Sequence, residues 1–125
     1  MLNIASRRVF LARAVVDMRK SFDTLADVVR TLLGMDPFDG DAFVFVGRDR
    51  TRVKILIWDT SGFWVCAKRL EGGRFAVPPG VARVADATGA LPLSTAEVHS
   101  LLEGIELVDA RRIGQYRREV VNAPR

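Results

Sequence analysis

The sequence predicts an α+β fold: a small antiparallel β-meander packed by one long N-terminal helix and one short C-terminal helix. Three observations predict it. Apolar residues recur at helical spacing between Met18 and Leu33. Runs of β-formers separated by turn residues extend from Ala42 to Val77. A capping box, Ser94-Thr95-Ala96-Glu97, then opens a second helical pattern. A length of 125 residues suits one core rather than two, and 49% hydrophobic with 27% charged residues is a globular composition.

Arg7-Arg8-Val9-Phe10-Leu11-Ala12 reads as a short opening strand. Met18, Phe22, Leu25, Val29 and Leu32 then fall at steps of four, three, four and three, one apolar stripe along a helix spanning Met18–Leu33. Asp17 can cap its start and Gly34 supplies a left-handed stop. Asp36-Pro37-Phe38-Asp39-Gly40 is a turn. Ala42–Val46 reads as a mostly buried strand and Gly47–Thr51 as a polar hairpin tip. Arg52 to Trp58 returns, Asp59–Gly62 turns, and Phe63 to Leu70 runs back. Glu71-Gly72-Gly73 turns into Arg74–Val77, giving a meander of three or four antiparallel strands. Val81 to Ala90 is small and loop-like. In the second helix Val98, Leu101, Leu102 and Ile105 form the buried stripe, with Leu93 and Val98 placed for a hydrophobic staple and Gly104 as terminator. Residues 1–106 are thus expected to form one domain, and residues 107–125 a basic tail with Arg111-Arg112 and Arg117-Arg118.

Catalytic chemistry finds little to work with. His99 is the one histidine and lies off the apolar stripe, and no Gly-x-Ser-x-Gly elbow accompanies it. Cys66 is the one cysteine, mid-strand between Val65 and Ala67, so neither an intrachain disulfide framework nor a structural zinc site is available. Asp36, Asp39 and Asp41 do not fit a calcium loop, since Pro37 is misplaced and Gly47 stands where the bidentate Glu belongs. The glycines match neither a P-loop nor a dinucleotide fingerprint. The expectation is a non-enzyme with no cofactor and no metal. No apolar run approaches the roughly 18–20 residues of a membrane span, and the N-terminus lacks a signal-peptide core, so a cytoplasmic protein without a membrane partner is expected.

Charge points to binding. The chain carries net +4 with a pI near 10.0. Seven cationic residues stand against three acidic ones between Ala42 and Phe75, a net +4 equal to that of the whole chain. The cations are Arg48, Arg50, Arg52, Lys54, Lys68, Arg69 and Arg74, and Trp58 and Trp64 lie among them. Cations hold phosphates and aromatics stack on bases, so these nine residues are the candidate nucleic-acid-binding set. Tryptophan and arginine also suit a protein interface, and solvated faces with core tryptophans are the competing explanation.

Several blocks of the chain resemble a known family. They are Asp17-Met18-Arg19-Lys20-Ser21-Phe22-Asp23 with Leu25, Asp36-Pro37-Phe38, Phe43-Val44-Phe45, Lys54-Ile55-Leu56-Ile57-Trp58-Asp59, and Gly62-Phe63. Lys68-Arg69-Leu70-Glu71, Gly73-Arg74-Phe75 and Leu101-Leu102-Glu103-Gly104-Ile105 follow in order. Together they resemble the small TnpB accessory protein encoded by the second reading frame of IS66-type insertion sequences, which is distinct from the RNA-guided nuclease of that label. Cys66-Ala67 and Val77 depart from it, where the family often has aromatics. The resemblance implies a non-catalytic accessory role in transposition, a form of DNA recombination, alongside a separate transposase. The residues add the expectation of binding to element-end DNA through the basic hairpins. The alternatives are an adaptor or regulator that binds the transposase, and a homo-oligomer formed by pairing exposed edge strands.

Overall fold

The computed structural model describes residues 4–78, 84 and 87–103. Its architecture follows from one strand. Ala42–Val46 (β2) is buried at every position, and a strand with no solvent face must lie centrally with cover on both sides. Among the described residues four further strands join it: Val9–Ala12 (β1), Arg52–Asp59 (β3), Gly62–Arg69 (β4) and Ala90–Leu93 (β5), in the order β4-β3-β2-β1-β5. The helix Phe22–Val28 (α1) runs on through a π turn, Val29–Leu33, and Thr95–Glu103 forms α2.

The sheet buries a different set of side chains on each face. Phe43, Phe45 and Leu56 pack against Leu25, Ala26, Val28, Val29 and Leu33 of the first helical segment. Ala42, Val44, Val46, Val53, Ile55 and Ile57 pack against Val98 and Leu101 of α2 and against Phe75. Fully burying a side chain such as Phe43, Phe45 or Phe75 is worth about 1.5–3 kcal/mol, so both layers are energetically substantial.

The α+β class holds, but the meander needs correcting. Only β2, β3 and β4 form an antiparallel run, with Ala42 opposite Ile57 and Arg52 opposite Arg69 at its two ends. β1 pairs parallel with β2, Val9 opposite Ala42, because α1 lies between them in the chain and provides the crossover a parallel pair requires. β5 pairs antiparallel with β1 and was not anticipated, since Pro92 and the small residues before it mask a strand. Arg74–Val77 is not a strand: Phe75 enters the core, 0% exposed, and its N–H donates to Arg50 O at 2.7 Å.

The long N-terminal helix is also shorter than its periodicity suggests. It starts at Phe22, where Ser21 N–H donates to Thr24 Oγ1 at 2.9 Å. Asp17 instead closes the preceding turn, its carboxylate accepting the Arg19 N–H at 2.9 Å. Met18 packs under the β2–β3 hairpin, where a Cβ on Gly47 would come within 2.9 Å of its Cγ. Phe22, placed on the apolar stripe by spacing, is 48% exposed. Gly34 does end the segment, at φ 66°, with its N–H on Val29 O. In α2 the capping box is present as expected: Glu97 N–H donates to Ser94 Oγ at 3.1 Å and Ser94 N–H to Glu97 Oε1 at 2.9 Å. Those bonds hold the Glu97 carboxyl below its ordinary range. Gly104, Ile105, the boundary after residue 106 and the basic tail of residues 107–125 lie outside the described residues, as does most of the segment from 79 to 86.

Two stability changes follow. Ser94→Ala should cost about 1 kcal/mol in urea unfolding, through the lost N-cap. Thr60 is exposed with φ 56°, and Ser61 N–H donates across it to Asp59 O. Thr60→Gly should therefore stabilise the fold by about 0.5–1 kcal/mol, relief of left-handed strain exceeding the entropy glycine adds to the unfolded chain. A neutral or destabilising result would refute the strain.

Candidate nucleic-acid interface

The β2–β3 hairpin tip is a braced turn. Gly47 N–H donates to Arg52 O at 3.0 Å and Arg50 N–H to Gly47 O at 3.1 Å, with Arg50 in the left-handed region at φ 61°. Asp49 Oδ1 accepts both the Thr51 N–H at 3.2 Å and the Thr51 hydroxyl at 2.9 Å. These donors, the backbone N–H first, hold the Asp49 carboxyl below its usual value, so the turn keeps its ionised acceptor. A second segment supports the tip from outside: Leu70 N–H donates to Thr51 O at 2.8 Å and Phe75 N–H to Arg50 O at 2.7 Å. Since Phe75 is rooted in the core, it also brings its neighbour Arg74 to the tip.

The sheet register adds a further cation. Arg52 and Arg69 stand directly opposite each other on β3 and β4, and both are exposed. Opposed like charges weaken a sheet, so this pair does nothing for stability. Arg69 meets Glu71 at 2.9 Å, across an exposed pair that contributes little. Five of the nine candidates, Arg48, Arg50, Arg52, Arg69 and Arg74, therefore gather at one end of the sheet.

Two adjoining depressions of about 500 and 420 Å³ share Met18 and Arg52 as lining at this end. The larger adds Lys20 to Arg48 and Arg52. Helical spacing from Met18 places Lys20 in a helix; its position in the turn before α1 is what brings it here. Asp17 lines the same depression, and the Arg19 guanidinium, by hydrogen bond first, holds its carboxyl well below the ordinary range.

The other four candidates stand differently. Lys54 is half-buried and donates Nζ to Lys20 O at 2.7 Å, tying β3 to the chain before α1. Lys68 points to the opposite face, where Nζ donates to Leu102 O at 2.8 Å near the end of α2. Trp58 is six residues from Arg52, roughly 20 Å along the strand. It packs with Phe38 and Phe63, ring centroids 5.0 Å away in each case. Trp64 is 52% exposed on the α2 side, its Nε1–H donating to Asp59 Oδ2 at 3.3 Å. The five arginines thus stand apart from both tryptophans.

The carboxylates, the histidine and the cysteine stand in structural positions. Asp36 Oδ1 accepts the Phe38 N–H at 2.9 Å in the turn. Asp41, 5% exposed, accepts Arg8 Nε–H at 3.0 Å and Arg8 Nη2–H at 2.9 Å. His99 is exposed, with Nε2 3.5 Å from Glu103 Oε1, and Cys66 is half-buried against the core. Among the described residues no group of three or more His, Cys, Asp or Glu is placed to hold a metal ion. Among the same residues no helix is long and apolar enough to cross a membrane.

Comparison with known proteins places the chain. The family model described as IS66 Orf2 like protein matches residues 7–112. Two relatives from Sinorhizobium fredii (strain NBRC 101917 / NGR234) align over most of their length. Uncharacterized protein y4hO is 37% identical over 99 residues, covering 79% of this chain and 81% of its own. Uncharacterized protein y4jC is 35% identical over 105 residues, covering 84% and 85%. No solved structure matches the chain significantly. With the family model spanning most of the residues that build the sheet, its tip and α2, the chain belongs to the IS66 Orf2-like family of insertion-sequence accessory proteins.

Proposed function

We propose that this accessory protein acts without catalysis, by gripping the phosphate backbone of element DNA with the arginine end of its sheet. The observation that carries the reading is the opposition of Arg52 and Arg69 beside a tip bearing Arg48, Arg50 and Arg74. Like charges in direct opposition are a cost to the fold, and such a cost is expected where a polyanion repays it. Arginine forks match phosphate oxygens, and a braced tip loses little freedom on binding. Lys54 ties β3 to the chain before α1, Lys68 lies on the α2 side, and Trp58 and Trp64 stand apart, so by position the reading narrows to the five arginines at one end of the sheet and Lys20. Transposase then acts alongside this protein on the same DNA, in the cytoplasm.

A second reading draws on the carboxylates Asp17, Asp49 and Glu71 lining the same depressions. A surface of mixed sign suits a protein partner, and the transposase is the partner that family membership suggests. In that case the protein is an adaptor or regulator.

Fluorescence anisotropy with element-end duplex over a salt series tests the first reading. Six phosphate contacts, from the five arginines and Lys20, predict a log–log slope of roughly −5.4. Arg48→Glu with Arg52→Glu should reduce that slope by about two and weaken binding at every sequence tested. Trp64→Ala should leave affinity unchanged. Absent or salt-independent binding overturns the DNA reading. Transposase co-purification that is lost with the same charge reversal, in the absence of DNA binding, favours the adaptor.

A further inference from the structure

The two edges of the sheet are protected unequally. β5 is four residues long and carries Pro92, which lacks the N–H a neighbouring strand would require. β4 is eight residues long, and from Gly62 to Ala67 it holds neither charge nor proline. Its only cations, Lys68 and Arg69, stand at its end. Large apolar side chains flank it on both faces. Phe63 packs with Phe38, centroids 5.2 Å apart and Phe38 49% exposed, on the α1 side; Trp64 is 52% exposed on the other. A long, uncharged edge between exposed aromatics is what natural sheets avoid unless something covers it.

We propose that β4 is the seam of a symmetric homodimer, two copies pairing antiparallel about a two-fold axis at Val65 to join their sheets into one. The occupant is argued from the strand itself. Directly opposed residues of an antiparallel pair share a face. An axis at Val65 therefore sets Trp64 opposite Cys66 of the second copy, and Phe63 opposite Ala67 of the second copy. Each large ring meets a small side chain, and the α1 sides of the two sheets become continuous. Charge agrees with this sense of pairing. The Lys68–Arg69 end of one strand runs to the Asp59–Gly62 turn of the other, whereas a parallel arrangement would align cation with cation. All of this complementarity resides within one hairpin, which is the signature of a self-pairing, isologous contact. The pairing does not require DNA: of the five arginines at that end of the sheet only Arg69 lies on β4, four residues from the axis, and Arg48, Arg50, Arg52 and Arg74 stand outside the seam.

Sedimentation equilibrium of the whole chain from about 1 to 100 µM, a span that covers micromolar affinities, tests it. The expected mass rises from 13.9 kDa toward twice that value. Trp64→Lys and Ala67→Lys each place a cation at the seam from an exposed position. Both should keep the protein monomeric with an unchanged circular dichroism spectrum. Val65→Cys in a Cys66→Ser background should cross-link on mild oxidation, since opposed Cα atoms lie about 4.5–5.5 Å apart, within disulfide reach. Lys68→Cys in that background should not. A chain monomeric throughout the range, or a dimer that survives both lysine substitutions, overturns the proposal. So does a dimer in which Val65→Cys fails to cross-link.

Discussion

The structure depends on the burial of β2. Five consecutive residues without a solvent face oblige the chain to cover both sides of the sheet, and α1 and α2 are the two covers. The parallel β1–β2 pair follows, because a helix intervenes between those strands. The buried carboxylate at the start of β2 follows as well: Asp41 tolerates burial because Arg8, at the entry to β1, grips it with two hydrogen bonds. Arg7 does similar work next door, donating to Gly40 O at 2.6 Å and to Trp58 O at 3.3 Å.

With both faces covered, polar and unused apolar groups are left to the ends and edges of the sheet. Cations collect at the Arg52–Arg69 end, where the hairpin tip is braced through Phe75. Aromatics collect at the Asp59–Gly62 end and along β4. A single surface combining cations with stacking rings is therefore not what this fold builds. Among the described residues the arginines occupy one end of the sheet, and the aromatics the other end and β4.

Much of this was legible in the sequence. Alternation and turn residues located β2, β3 and β4 to within a residue or so, because hairpins are encoded locally. The Ser94–Glu97 box located α2 for the same reason. What failed depended on distant contacts. Met18 and Phe22 have helical spacing, yet Met18 is held beneath Gly47 and the helix begins only where Thr24 can accept the Ser21 N–H. A Ser-x-x-Thr pattern was the available signal. β5 exists because β1 offers it an edge, which Pro92 conceals from a propensity reading. Of the candidate site, charge clustering pointed to the arginines, but only register could show that Lys54 and Lys68 are engaged elsewhere and that the tryptophans lie at the opposite end or face. Family membership was readable from the ordered blocks, and the family model confirms it over residues 7–112.

In the proposed function the arginine end, and not the aromatic edge or the α2 face, meets the nucleic acid. Amide chemical-shift mapping during titration with element-end duplex addresses it most directly, since every non-proline residue reports separately. Binding through the arginine end predicts shifts concentrated at Gly47, Arg48, Arg50, Arg52, Arg69 and Arg74, with Trp64, Val98 and His99 unmoved. Shifts centred on Trp64 or on α2, with the hairpin tip silent, would contradict it.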